Sequence, residues 1–274
     1  MGNLVVVGTD GSPSSLAAVE TAAREARRRR AALRVVYALN WPVRPMYAPL
    51  DTTPLNRMVS EAADRARSVA PEVTVTEAVV PGDTVSVLEA ESRAADLLVV
   101  GARGTGGFIG MLLGSTAASL TAHSRCPVMV AREESADGGP IVLCVDGSPA
   151  GETAVEFAFA EAALRGAEIA AVHVWLPDHA PAGTGVESQE RLLAQALAGY
   201  AEKHPDVTVR REVASGEARE VLIERSRNAQ LVVVGARGRG GFTGLLLGSV
   251  SQALLHHAHS SVVVVRGGTG SDVS

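Results

Sequence analysis

The sequence predicts an α/β protein built from two tandem domains, each a doubly wound, five-stranded parallel sheet. Three observations carry this expectation: a chain written twice, short apolar runs alternating with longer Ala-rich stretches, and a length of 274 residues. At roughly 150 residues per domain, that length suits about two domains. LVVVGTDGSP at 4–13 returns as IVLCVDGSP at 141–149, setting Asp10 against Asp146 at an offset of 136. Residues 97–115, LLVVGARGTGGFIGMLLGS, match residues 231–249 at 15 of 19 positions, at an offset of 134. The two offsets differ by a length change that loops absorb easily. SADGG at 135–139 is polar and glycine-bearing, as a domain boundary should be, so domains are expected over 1–134 and 140–268.

Within the first half, LVVVG at 4–8 is a short β-branched run that reads as a buried strand. Ser12 and Pro13 supply an N-cap and an N1 proline, and a helix is expected over 14–30. A strand over 33–39, a helix over 56–70, a strand over 73–80 and a helix over 84–94 follow. The half closes with a strand over 97–101, a helix over 115–124 and a last strand over 128–131. The second half repeats this order and ends with a strand over 262–265. Alternating strands and helices imply parallel sheets covered on both faces. Such sheets bind ligands outside the carboxyl ends of their strands, where the strand order reverses.

Composition narrows the partners. The chain is 46% hydrophobic but only 3% aromatic, so Val, Leu, Ala and Ile must build the core. A net charge of −5 argues against broad contact with nucleic acid or anionic membrane. No run approaches the roughly 18 apolar residues of a membrane span, and MGNLVVVGTDGS does not begin like a signal peptide. Cys126 and Cys144 sit in or beside apolar runs and read as reduced core residues. The expectation is a soluble, cytoplasmic protein.

The repeated phrase carries the chemistry. Its glycines fall at 101, 104, 106, 107, 110 and 114, and again at 235, 238, 240, 241, 244 and 248. Successive backbone N–H groups in such a loop can form an anion-binding concavity. Ser115 and Ser249 are expected to cap the helices that follow, whose N-termini favour anions. No lysine precedes either serine, which excludes a P-loop, and GTDGSP after the first strand is not the dinucleotide fingerprint. Alternatives stay open at single residues. The loop can be a plain turn, Asp10 and Asp146 can form Asx-type turns, and Arg103 and Arg237 can pair with phosphates or face solvent. His256, His257 and His259 read as a solvated helix surface near a C-terminus, so no metal site is expected. The arginines at 27–30 read as water-facing, Cys126 as no nucleophile, and residues 111–113 and 245–247 as packing that anchors the loop.

The spacing Gly101-x2-Gly104-x9-Gly114-Ser115, repeated as Gly235-x2-Gly238-x9-Gly248-Ser249 and joined to Asp10-Gly11-Ser12 and Asp146-Gly147-Ser148, resembles the nucleotide-binding signature of the universal stress protein family. The resemblance covers nearly the whole chain as two copies. It implies a Rossmann-like, adenine nucleotide alpha hydrolase-like fold whose last strands pair between domains. It also implies one adenine-nucleotide site per domain, taking ATP with or without Mg²⁺. Gly101, Gly104, Gly114 and Ser115 would hold phosphates and ribose, as would Gly235, Gly238, Gly248 and Ser249. Asp10 and Asp146 would lie beside the adenosine, Ala38 and Val174 would offer backbone groups to adenine, and Val100 and Val234 would line the pocket.

The phrase holds no carboxylate for Mg²⁺ or for orienting a water. A binder in stress responses is therefore expected, with no catalytic residue. A slow ATPase or nucleotide-dependent phosphotransferase, a cAMP-binding regulator and an interaction scaffold are the alternatives. The apolar last strands are edges that seek partners, and a homodimer and a regulatory protein partner are expected. Segments 40–55 and 176–188 are expected to flank the pockets as covers.

Overall fold

The computed structural model describes residues 3–40, 51–104, 113–132, 138–177, 185–238 and 246–267. The chain divides into two compact units, Met1–Glu133 and Glu134–Ser274. The first contains β1 (Leu4–Gly8), α1 (Pro13–Arg29), β2 (Ala32–Leu39), α2 (Thr53–Val69) and β3 (Val75–Pro81). It continues with α3 (Thr84–Glu91), β4 (Leu97–Gly101), α4 (Ser115–His123) and β5 (Val128–Ala131). Its strands are all parallel in the order β3-β2-β1-β4-β5, with Val5 paired to both Leu33 and Leu97.

The second unit contains β6 (Ile141–Cys144), α5 (Glu152–Arg165), β7 (Ile169–Trp175), α6 (Val186–Ala196) and α7 (Tyr200–Lys203). Then come β8 (Val209–Ser215), α8 (Ala218–Arg225), β9 (Leu231–Gly235), α9 (Ser249–His257) and β10 (Val262–Val265). Its parallel order, β8-β7-β6-β9-β10, repeats that of the first unit. Each unit is thus the doubly wound, five-stranded α/β fold that the alternation implies. β1, β4, β5 and β10 begin and end where the sequence puts them. Central strands are covered on both faces, so Val5, Val6 and Val7 are fully buried, and this is why an unbroken apolar run marks them.

One helix departs from the repeat. α2 is continuous, but its counterpart stops at Ala196 and resumes at Tyr200 after Gly199, whose φ is +79°. In the first unit α1 packs on α2, and Ala22, Ala23 and Ala26 of one and Ala62, Ala63 and Ala66 of the other are fully buried. At the repeat offsets Ala23 becomes Phe159 and Ala66 becomes Tyr200. Those two rings stack with centroids 5.3 Å apart. Helix separation follows the side chains at the contact, so a stacked ring pair fills space that alanines leave to the backbones.

Charged tethers also differ from expectation. The arginine run does not face water throughout. Glu25 is fully buried and pairs with Arg28 at 2.7 Å and with Arg29, whose side chain is 8% exposed. Glu161 and Arg165 repeat the pair at 2.5 Å. A buried carboxylate needs a partner, and the i,i+4 spacing supplies one. Both cysteines are free thiols, with Cys126 buried and Cys144 half-buried. Burial pushes each up to about 12, helped at Cys144 by the Asp146 carboxylate, so neither is a ready nucleophile. Among the described residues no helix is long and apolar enough to cross a membrane.

Candidate functional site

β1 and β4 are neighbours at the point where the strand order reverses, and β6 and β9 are neighbours at the same point of the second unit. The loops after these strands flank the crevice in which doubly wound sheets bind ligands. After β1, the Thr9 N–H still donates to the Val36 carbonyl at 2.9 Å, and the chain then turns through Gly11 at φ +76°. Asp10 Oδ1 accepts from the Ser12 N–H at 3.0 Å, and Ser12 Oγ accepts from the Ser15 N–H at 3.2 Å. These bonds start α1 with Ser12 as its N-cap and Pro13 in its first turn. In the second unit Asp146 Oδ1 accepts from both the N–H and the hydroxyl of Ser148, at 2.9 and 2.8 Å. The Asx-turn reading of both aspartates is therefore correct.

Each aspartate does a second thing. A Cβ placed on Gly104 would lie 2.5 Å from Asp10 Oδ2, and one placed on Gly238 would lie 2.5 Å from Asp146 Oδ2. A side chain at either position would have to push the carboxylate aside, and glycine lets the loop backbone lie this close without that shift. The structure thus brings Asp10 to Gly104 and Asp146 to Gly238. Gly101 is pressed in the same way against α1, where a Cβ would sit 2.8 Å from both Ser14 O and Ser14 Oγ. Gly235 is looser, its nearest neighbour being Arg237 O at 3.2 Å.

The loops close back on their strands. Gly114 donates its N–H to the Ala102 carbonyl at 2.8 Å, and Gly248 donates to the Ala236 carbonyl at 2.8 Å. Ser115 and Ser249 are not the N-caps. They are the first helical residues, and Gly114 and Gly248 occupy the cap positions with extended backbone. Glycine has no acceptor to offer, so no side chain caps α4 or α9, and their first-turn amides keep donor capacity suited to an anion. Leu113 and Leu247 are buried, whereas Leu246 is 45% exposed, so the anchoring expected of these leucines holds only for the first two. The rest of the phrase, 105–112 and 239–245, lies outside the described residues, as do 41–50 and 178–184 of the expected covers.

The remaining expected residues line strand ends. Ala38 pairs with Val80 and Val174 with Ala214 near the ends of β2 and β7, and all but 5% of Val100 and of Val234 is buried. Arg103 and Arg237 are exposed. His259 lies beyond the end of α9 and donates its backbone N–H to Ser226 Oγ at 2.9 Å, so it is not part of the helix surface on which the sequence put it. Among the described residues no group of three or more His, Cys, Asp or Glu could hold a metal ion.

Sequence reasoning missed Ser14 and Ser251. Ser14 Oγ accepts from the Arg103 N–H at 3.3 Å, and Ser251 Oγ donates to the Ala236 carbonyl at 3.1 Å. Their counterparts are Ala150 and Ala117, so the signal lay in the differences between the halves rather than in their shared phrase. The phrase itself brings bare backbone and arginine but no carboxylate. An uncapped helix N-terminus beside a glycine-faced aspartate offers backbone donors to an anion rather than a set of metal ligands.

Comparison with known proteins agrees in fold and family. Residues 1–132 and 139–266 each match the Universal stress protein family. A universal stress protein of Mycolicibacterium smegmatis is 39% identical over 285 residues, covering 96% of each chain. One of Mycobacterium tuberculosis is 34% identical, again covering 96% of each. Among solved structures, a universal stress protein from Archaeoglobus fulgidus has a TM-score of 0.74 at 20% identity, covering 98% of both chains, a likeness of fold.

Proposed function

The chain belongs to the universal stress protein family, and on that premise we propose that it is an ATP-binding regulatory protein of a stress response, with one nucleotide site per unit. The observation that supports this most is the contact of Asp10 with Gly104 and its repeat between Asp146 and Gly238. It joins the first-strand motif to the glycine loop in both halves. In this reading the backbones of Gly101, Gly104 and Gly114, with Ser115, take the phosphates and ribose. Gly235, Gly238, Gly248 and Ser249 do the same in the second unit. Asp10 and Asp146 stand beside the adenosine, with Ala38 and Val174 at the adenine and Val100 and Val234 behind it.

The phrase lacks a carboxylate to orient a water, and phosphoryl transfer depends on such positioning. The site's own carboxylates, Asp10 and Asp146, are engaged in Asx turns and in this reading stand on the adenosine side, so the site holds nucleotide rather than turning it over. Mg²⁺ would accompany ATP as a counter-charge to its phosphates. The protein would work in the cytoplasm as a homodimer, passing its nucleotide state to a regulatory protein partner.

Calorimetric titration with ATP, ADP and cAMP tests this reading. ATP is expected to bind at two equivalents per chain. Gly104→Ala and Gly238→Ala each remove one equivalent, the double variant removes both, and circular dichroism is unchanged. Binding of none of the three nucleotides would overturn the proposal. A preference for cAMP would replace the ligand, and phosphate release lost in the same variants would replace holding with hydrolysis.

A further inference from the structure

The second unit has a cleft of ≈ 470 Å³ between the Asp146 loop, the start of α5, and the α6–α7 break. Its origin lies in the sequence differences between the halves. In the first unit Met58 fills the corresponding place, its Sδ lying 2.7 Å from where a Cβ on Gly11 would be. The second unit has Leu192 at that position, and the helix then breaks at Gly199. Val155, Leu192 and Ala196 give the cleft apolar walls. Tyr200 is held in it by stacking on the fully buried Phe159, with its hydroxyl 3.5 Å from the Glu152 carbonyl.

Charge decides what fits. Among the described residues that line the cleft, the charged ones are Asp146, Glu152 and Lys203. The Lys203 ammonium sits over the Tyr200 ring, 5.3 Å from its centroid, so the ring face already receives a cation. Burial first, and then the Glu156 and Glu152 carboxylates, hold the Tyr200 phenol above its ordinary value. Negative potential therefore reaches the ring. A volume of this size suits a small ligand.

We propose that this cleft of the second unit is a further small-molecule site that takes an organic cation with an apolar body. The body lies on Val155, Leu192 and Ala196. The cationic head meets the Tyr200 ring and the Glu152 carboxylate, displacing the Lys203 ammonium. Among the described glycines of the repeated phrase, Gly235, Gly238 and Gly248, none lines the cleft, so the proposal does not rest on the nucleotide reading, although Asp146 borders both.

The test uses the full chain and two probes of similar shape and opposite charge, benzyltrimethylammonium and phenylmethanesulfonate. Titration followed by ¹⁵N NMR is expected to show saturable binding of the cation alone, at one equivalent, with shifts at 146–152 and 192–203. Ala196→Phe fills the cleft and abolishes binding. Glu152→Gln, an exposed change that leaves the fold alone, weakens it roughly fivefold, the scale of one cation–π or exposed charge contact. Lys203→Gln strengthens it. Failure to saturate at millimolar probe, equal binding of the sulfonate, or unchanged binding in both Ala196→Phe and Glu152→Gln would overturn the site. ATP stoichiometry on the same sample reports separately on the nucleotide reading.

Discussion

In the first unit the helix beside α1 runs unbroken from Thr53 to Val69, whereas in the second it stops at Ala196 and resumes at Tyr200. The same pair of helices is faced with alanines in one unit and with Phe159 and Tyr200 in the other. Their charges are rewired as well. Arg34 of β2 holds Glu91 of α3 at 3.0 Å. In the second unit the position of Glu91 is Arg225, and it reaches Glu212 of β8 at 2.5 Å. The helix is tied to the sheet in both, with the signs exchanged and the strand partner changed.

Against this divergence stand features that do not change. Ser92 Oγ accepts from the Arg125 N–H and Ser226 Oγ from the His259 N–H, each at 2.9 Å. The Asp–Gly contacts and the Gly114 and Gly248 closures likewise repeat to a tenth of an ångström. Helix faces tolerate exchange because volume and charge can be matched in several ways. A loop that must bring its backbone to a carboxylate has fewer solutions.

Substitutions can break this comparison, and the largest effect is expected at Phe159. Phe159→Ala empties a fully buried ring position and should cost about 3–5 kcal/mol by urea unfolding followed at the second unit. A loss below about 1 kcal/mol would mean that the aromatic pair does not separate α5 from α7. Next come the paired glycines. Gly101→Ala drives a Cβ into the Ser14 backbone at 2.8 Å and should cost about 1–3 kcal/mol, while Gly235→Ala, at 3.2 Å, should cost less than about 1 kcal/mol. Equal losses would show the two loops to be packed alike.

Helix ends offer a smaller contrast. α1 ends on Arg30 at φ 51° and α5 on Gly166 at φ 60°. Arg30→Gly should therefore stabilise the first unit by about 0.5–1 kcal/mol, read as a rise in its thermal midpoint. The smallest effect belongs to the exchanged tether. The Arg225 hydrogen bond holds the Glu212 carboxyl below the ordinary carboxylate range. Its folded value lies below its unfolded value, so its stabilisation is full above the unfolded value and is lost as pH falls through the folded one. The thermal-midpoint gap between the parent and Glu212→Gln should stay flat above about pH 5 and close at pH values below about 4. A gap that persists in acid would separate the tether from that charge.

The sequence by itself determined the duplication, the order of strands and helices along the chain, and the two motifs, the first-strand Asp-Gly-Ser and the glycine phrase, on which the candidate site rests. Those are written locally, as apolar runs, a capped helix start at Ser12 and a glycine spacing, because backbone sterics and burial act over a few residues. It misplaced the caps at Ser115 and Ser249, and solvent at Arg29, for one shared reason. What a serine or arginine does depends on which neighbour the fold puts beside it. That Asp10 meets Gly104 across more than ninety residues, that Phe159 and Tyr200 meet where alanines stood, and that a cleft opens beside Asp146 in the second unit were decided by tertiary packing. Such contacts join residues whose separation in sequence carries no periodic signal, and volume, not pattern, selects among them.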